Sequence, residues 1–411
     1  MGDTNDKAGG GGPLSGIRVF DLSQVIAGPH CTTILADLGA EVLKVERPDG
    51  GDDLRTVGRY KGREDHEDYF YANNRSKKSI CLNLKDAHDR AIAHSLVACA
   101  DIVVENFAPG TAARLGMGWK DLSPINPRLV YCSISGFGQD GPYRNRLALD
   151  PVIQAVTGVM SAIGTEDSEP LMIGAPLADV ISGIYSACYI LGALHEVQAG
   201  GKGRYIDVSM QDSMLSALGP RMGESLQAGA NPLRLGNQNP MRVPADTYQT
   251  ADGKYISIIV QNERFWAPFC RVVGREDNIA DERYKTAALR VQHREELTPV
   301  LVEVFASKTA SEWSPILEAE RIPFAVVNTY LEALADPQVK HRGTIRELDH
   351  PESGKIRVVG SSGIMTGSSA PPFAPPLLNQ HVEEVLKGWL DWSDAQVQEF
   401  CASQTNSRHR K

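Results

Sequence analysis

Four consecutive stretches between residues 16 and 47 constrain the fold more than any other part of the chain. "GIRVFDLS" is a short apolar run, "QVIAGP" a turn, "HCTTILADLGA" a helix-like stretch ending at Gly39, and "AEVLKVER" a second buried run. Two such runs joined through a helix predict parallel strands with a crossover between them. The pattern repeats downstream: "KSICLNL" is strand-like, "DAHDRAIAHSLVACA" helical, "DIVVENF" a strand, "GTAARLGM" a short helix and "RLVYCSISGFG" another strand. Strands alternating with helices predict an α/β fold with a mostly parallel sheet covered by helices on its faces. The turn after the first strand holds only Ala27, Gly28 and Pro29, so the Gly-x-Gly-x-x-Gly dinucleotide fingerprint is missing and an NAD-binding reading is weak.

Past a helix expected from about Val180 to Gln198, "GKGRYIDVSMQDSMLSAL" reads as a turn, a strand from Tyr205 to Ser209 and a helix. From about Arg221 to Pro240 the composition shifts to Gly, Asn, Pro and Arg, which marks a crossing between domains. "DTYQTADGKYISIIVQ" then carries a hairpin signal, Asp-Gly between two alternating runs, and is followed by three helical stretches, a strand-like "IPFAVVNT" and a last helix, "HVEEVLKGWL". A chain of 411 residues is longer than one hydrophobic core usually organises, so two domains are expected.

Charge and cysteine usage exclude several classes. A formal net charge of -9 argues against nucleic-acid binding, which needs an excess of Lys and Arg. The seven cysteines are scattered and form no Cys-x-x-Cys pair, which predicts reduced thiols in a cytoplasmic protein and no metal site. The polar, glycine-rich N-terminus has neither the apolar core of a secretion signal nor an Arg-rich amphipathic pattern. The run from Leu171 to Leu194 is interrupted by Gly174, Pro176, Asp179 and Gly183, short of the roughly 20 strongly apolar residues of a membrane span, so a soluble protein without a membrane partner is expected.

That same run contains one formal charge, Asp179. Its carboxylate can serve as a helix cap, satisfying an orphan backbone N–H of the helix that follows. It can also be a nucleophile, because a carboxylate in dry surroundings needs a partner and a substrate can supply one.

Nine stretches, in order from about residue 13 to residue 390, carry a family resemblance: "PLSGIRVFDLSQVIAGP", "LADLGAEVLKVERPDGGDDLR", "NRSKKSICLNLKD", "ADIVVENFAPGTAARLGMGW", "YCSISGFGQDGPY", "PLADVISGIYSA", "GKGRYIDVSMQDSML", "ADGKYISIIVQN" and "APPLLNQHVEEVL". Together they resemble the class III (family III) CoA-transferases, the group that includes formyl-CoA transferase, carnitine CoA-transferases and the related α-methylacyl-CoA racemases. The resemblance implies a large Rossmann-like CoA-binding domain with a smaller α+β domain inserted into it, and an interlocked homodimer. On that division residues 1–13 are a disordered lead-in, 14–220 the first part of the large domain, 221–245 a linker, 246–335 the small domain, and 336–411 a linker and the return to the large domain.

It further implies that Asp179 is the catalytic nucleophile, that CoA and acyl-CoA are substrates, that a carboxylic acid is the acceptor, and that no cofactor is tightly bound. The chemistry implied is covalent catalysis, which splits one hard transfer into easier steps. A helix starting after Asp179 would also favour its ionised form through the helix dipole. Matching positions assign CoA contacts to Val25, Ile26, Arg47, Lys77, Asn106, Phe107, Arg114, Leu115 and Met210. Arg and Lys among these suit phosphate oxygens, although a typical Lys or Arg is only a solvated surface cation.

Departures from the family pattern narrow the choice. Ile26 stands where formyl-CoA transferase has glutamine, so acyl-group recognition differs. Leu149 stands where racemases carry a histidine, and leucine cannot exchange a proton. Asp150 keeps the neighbouring acid and is a candidate pocket residue or simply a turn carboxylate. Gly236 and Asn237 begin the stretch "LGNQNPMRVP", which replaces a glycine-rich active-site loop, and Arg242 is a candidate for a distal carboxylate of the acyl group. CoA transfer is therefore the expected activity. An acyl-CoA racemase or epimerase, and a CoA-binding protein without turnover, are the alternatives.

Overall fold

The structure is a computed structural model that describes residues 11–57, 67–366 and 371–408. All but the last three residues of the expected 1–13 lead-in lie outside the described residues. The chain divides into two compact units. One comprises Met1–Met160, Met172–Ala228 and His341–Lys411, and the other Ser161–Leu171 and Gly229–Lys340. Ser161–Leu171, inside the first long segment, clusters with the second unit.

The first unit is built on β1 (Arg18–Asp21), β2 (Glu41–Glu46), β3 (Lys77–Cys81), β4 (Ile102–Glu105), β5 (Val130–Ser135) and β6 (Arg204–Ser209). These six strands pair in the order β3-β2-β1-β4-β5-β6, every pair parallel, with Val19 opposite Val42 on one side and Ile102 on the other. Such an order reverses direction between β1 and β4, and ligands of open α/β sheets bind outside the carboxyl ends at that switch point. The residues of β4 and β5 are all buried, as strands covered on both faces require.

Helices α1 (Ala27–Asp37), α2 (Asp68–Asn74), α3 (Ala87–Ala98), α4 (Thr111–Arg114), α5 (Trp119–Leu122), α6 (Asp150–Val156), α7 (Leu177–Gln198) and α8 (Met210–Leu218) fill the connections. One sheet face packs Phe20, Leu43, Ile80, Val103 and Tyr131 against Leu96 of α3 and against Leu386 and Trp389 of the helix Val382–Leu390, which is followed by a last helix, Asp394–Arg408. On the opposite face α7 runs against α1 and β5. α7 has the length and apolar composition to cross a membrane; of the four expected interruptions, Gly174 and Pro176 precede it and Asp179 and Gly183 lie within it. Ala178, Ser182, Gly183, Ser186, Ala187, Ile190, Leu194 and Val197 are buried, so α7 is a core helix of this unit.

An antiparallel hairpin absent from the sequence reading, β10 (Ile345–His350) with β11 (Gly354–Val359), also belongs to the first unit. Its Ile356 and Val358 join Leu54, Phe70 and Tyr71 in a separate small apolar cluster. The second unit carries the expected hairpin, β7 (Ala245–Gln249) and β8 (Tyr255–Ile259), extended by β9 (Phe324–Val326) into an antiparallel sheet. Tyr248, Ile256 and Ile258 of that sheet pack with Trp266, Phe269, Phe305 and Trp313 from the helices that follow.

Candidate active site

The switch point is shaped by the turn between β1 and α1. Asn106, one residue past β4, reaches across it: its Oδ1 accepts the Gln24 N–H at 2.8 Å and its Nδ2 donates to the Gln24 carbonyl at 2.7 Å. Lys44, fully buried on β2, donates to the Ser23 carbonyl at 2.9 Å and pairs with Asp52 at 2.8 Å. Asp52 in turn accepts the Val25 N–H, 3.2 Å from each oxygen. Val25 itself is left-handed, with φ 66°, a conformation costly for a β-branched side chain. α1 can then start tightly against the turn, because a Cβ on Gly28 would lie 2.2 Å from the Ser23 side chain.

α7 approaches the same turn. A Cβ on Gly183 would sit 2.7 Å from the Ala27 carbonyl oxygen and 3.2 Å from the Cys31 nitrogen, so only glycine lets the two helices come this close. Asp179 is one helical turn before Gly183, about 6 Å along the axis, at the end of α7 that faces the sheet's switch point. Its carboxylate is half-buried and has no hydrogen-bond partner among the described residues.

The backbone beneath Asp179 is fixed by a neighbouring acid. Asp150 opens α6, is 7% exposed, and through Oδ1 accepts the N–H of Ala178 at 2.7 Å and of Asp179 at 3.4 Å. Its other oxygen accepts from Gln154 Nε2 at 2.6 Å, while Gln154 Oε1 takes the Ile173 N–H at 2.9 Å. Gln154 is fully buried and thus pins the segment that leads into α7.

Two expectations about Asp179 are corrected. α7 begins at Leu177 rather than near Val180, so Asp179 lies inside the first turn and Asp150 supplies the cap. The carboxyl is also not held in its usual acidic range: burial, and then the negative charge of Asp150, push it up to about 7. The helix dipole expected to keep it ionised does not offset a neighbouring anion and the loss of water.

The expected CoA contacts divide into two groups. Val25, Ile26, Arg47, Asn106, Phe107 and Met210 follow the carboxyl ends of β1, β2, β4 and β6. Arg47 is exposed beside Asp53, and Arg114, exposed at the end of α4, bonds Thr111 Oγ1 at 2.6 Å. Phe107 and Leu115 are partly buried against the main core, and Met210 is 6% exposed at the start of α8. Asn106 holds the turn rather than standing free.

Lys77 is a correction. It is fully buried at the start of β3, and its Nζ donates to Asp21 at 3.2 Å, the Pro29 carbonyl at 2.9 Å and Asn74 Oδ1 at 3.0 Å. All three donors are occupied, and burial lowers the ammonium to about 8, so it offers no surface charge to a phosphate. Val25 and Ile26 are half-buried, and their side chains pack on the Leu54, Phe70 and Ile356 cluster.

Gly236, Asn237 and Arg242 belong to the second unit, where Gly236 (φ 59°) donates to the Gly164 carbonyl at 2.8 Å and Arg242 Nε to the Gln261 carbonyl at 3.1 Å. No group of three or more His, Cys, Asp or Glu suited to a metal ion occurs among the described residues. Gln154, Lys44 and Asp52 were missed by sequence reasoning. The adjacent acids of "GGDDLR", in a stretch already singled out, were the available signal for Asp52.

Residues 14–382 match the family model described as CoA-transferase family III. The chain is 36% identical over 401 residues to a succinyl-CoA:glutarate CoA-transferase of Homo sapiens, covering 97% of this chain and 90% of the relative. It is 37% identical over 373 residues to an acetyl-CoA:oxalate CoA-transferase of Acetobacter aceti, covering 90% and 94%. Among solved structures it resembles a CAIB/BAIF family protein from Brucella suis, with a TM-score of 0.82, 33% identity, and 92% and 100% of the two chains covered.

Proposed function

The chain belongs to CoA-transferase family III and is a CoA-transferase, and from that premise we propose that it moves CoA from an acyl-CoA donor to a small organic acid through covalent intermediates on Asp179. The observation that carries this reading is a half-buried carboxylate with no partner of its own among the described residues, fixed through its backbone by Asp150. Gly183, one helical turn further along α7, lets that helix pack against Ala27 and Cys31 of α1, beside the turn at the sheet's switch point.

The steps balance without an added reagent. The Asp179 carboxylate attacks the donor thioester carbonyl, and the C–S bond breaks to release CoA thiolate and leave an acyl-aspartyl anhydride. The thiolate attacks the aspartyl carbonyl, which frees the donor acid and leaves an aspartyl-CoA thioester. The acceptor carboxylate attacks that thioester and expels the thiolate. The thiolate then attacks the acceptor's acyl carbon, forming the new thioester and restoring the Asp179 carboxylate. Arg47 and Arg114 are the exposed cations that hold the nucleotide phosphates, and Val25 and Ile26 present their backbone to the thioester.

Both acceptors named for the relatives above are dicarboxylates, which supports a dicarboxylate acceptor here, with succinyl-CoA as the candidate donor. The working form is read as an interlocked homodimer. A panel of mono- and dicarboxylic acids offered with succinyl-CoA and acetyl-CoA, with CoA esters read by mass, tests the reading. New esters should form with the wild-type chain and not with D179A or D179N; transfer by either variant at the wild-type rate overturns it.

A further inference from the structure

Three successive residues of the β1–α1 turn are each tied by a side chain from elsewhere in the first unit: buried Lys44 on β2, buried Asp52 in the loop after β2, and half-buried Asn106 just past β4. Ser23 is held through its carbonyl by Lys44, Gln24 through both backbone groups by Asn106, and Val25 through its N–H by Asp52. Only the last of these three residues is left-handed. Valine is strained in that conformation, and glycine would not be.

The restraint on Val25 is unusually well supported. Asp52 and Lys44 are 2.8 Å apart with side chains fully shielded from solvent. Asp52 Oδ1 also accepts the Leu54 N–H at 3.0 Å, and Leu54 belongs to the cluster on which the Val25 and Ile26 side chains pack. One short segment therefore supplies both the acceptor for the Val25 N–H and an apolar seat for the side chains. Burial alone would raise the Asp52 carboxyl; Lys44 and the two N–H groups outweigh it and keep it below its ordinary value.

We propose that Asp52, seated on Lys44, is a positioning residue that holds Val25 in its left-handed conformation and so aims the Val25–Ile26 backbone at the thioester that Asp179 attacks. This rests on the reading of Asp179 given above. An asparagine at 52 has one acceptor oxygen for the Lys44, Leu54 and Val25 donors, so at least one tie is lost. Glycine at 25 removes the need for the Val25 tie, because it takes a left-handed backbone without strain.

The test is a double-mutant cycle on the full-length enzyme. D52N should lower kcat by about tenfold or more with KM for acyl-CoA changed by less than about threefold, and in the V25G background the same substitution should cost less than about threefold in kcat. If D52N does not fold because Lys44 is left unpaired, K44M/D52N replaces it and adding V25G should recover kcat by at least about threefold. Equal losses with and without V25G, or no recovery, overturn the proposal and assign Asp52 a purely structural role. Trapping of the covalent adduct on Asp179 in the wild-type enzyme is read in parallel. An adduct with no V25G rescue sinks the positioning role alone, whereas turnover without an adduct on Asp179 sinks both.

Discussion

Asp150 Oδ1 accepts the backbone N–H of Ala178 at 2.7 Å and that of Asp179 at 3.4 Å, so one carboxylate fixes the backbone that carries the other. The same closeness puts a negative charge beside Asp179 and, after burial, is the second reason its carboxyl rises to about 7. Position and acidity of Asp179 are thus set together.

A first consequence concerns pH. In the proposed mechanism only ionised Asp179 attacks, so kcat/KM should fall toward tenfold per pH unit below about pH 7. D150N removes the charge and should move this acid limb to lower pH while reducing kcat through looser placement of α7. A pH profile of both enzymes checks it, and an unmoved limb would show that Asp150 does not act on the acidity.

Stability should respond in the opposite sense. The native state holds the Asp179 proton up to about pH 7, whereas an unfolded chain releases it near the ordinary 3.8. The contribution is therefore present below the unfolded value and lost as pH rises through the folded one. D179N avoids the loss, so its melting temperature should exceed wild type more at about pH 8 than at about pH 4. Thermal unfolding at the two pH values measures the difference.

Lys77 and Arg47 should separate by phenotype. K77M leaves Asp21 buried without its nearest cation and should cost about 3–5 kcal/mol in denaturant unfolding. Arg47 is exposed, so R47A should leave stability nearly unchanged and raise KM for acyl-CoA by about tenfold. A higher KM for folded K77M with no loss of stability would restore Lys77 to the phosphate site.

Gly183 should tolerate no side chain. The Cβ of G183A would meet the Ala27 carbonyl at 2.7 Å, a backbone atom that cannot swing away. Separating α1 from α7 should cost about 1–3 kcal/mol and displace Asp179, so kcat should fall along with melting temperature.

Much of this architecture was legible because parallel strands buried on both faces leave short runs poor in charge, as in "IVV" of β4 and "VYCSIS" of β5. The β10–β11 hairpin was not, since "IRELDH" and "GKIRVV" mix charges into half-exposed strands. Asp179 stood out as the one charge in an apolar run. Its acidity did not, because that depends on Asp150, 29 residues away in sequence and brought close only by the fold. Lys77 misled for a related reason: a lysine in a polar stretch reads as surface, and only the sheet packing shows Asp21, Asn74 and Pro29 around it.

The most direct test is covalent trapping. The enzyme is incubated with succinyl-CoA alone, quenched with hydroxylamine, digested and read by mass spectrometry. The account predicts a hydroxamate on Asp179, formed from its anhydride or thioester, and none in D179N. CoA transfer that proceeds while Asp179 stays unmodified, or a hydroxamate on a different residue, would contradict it.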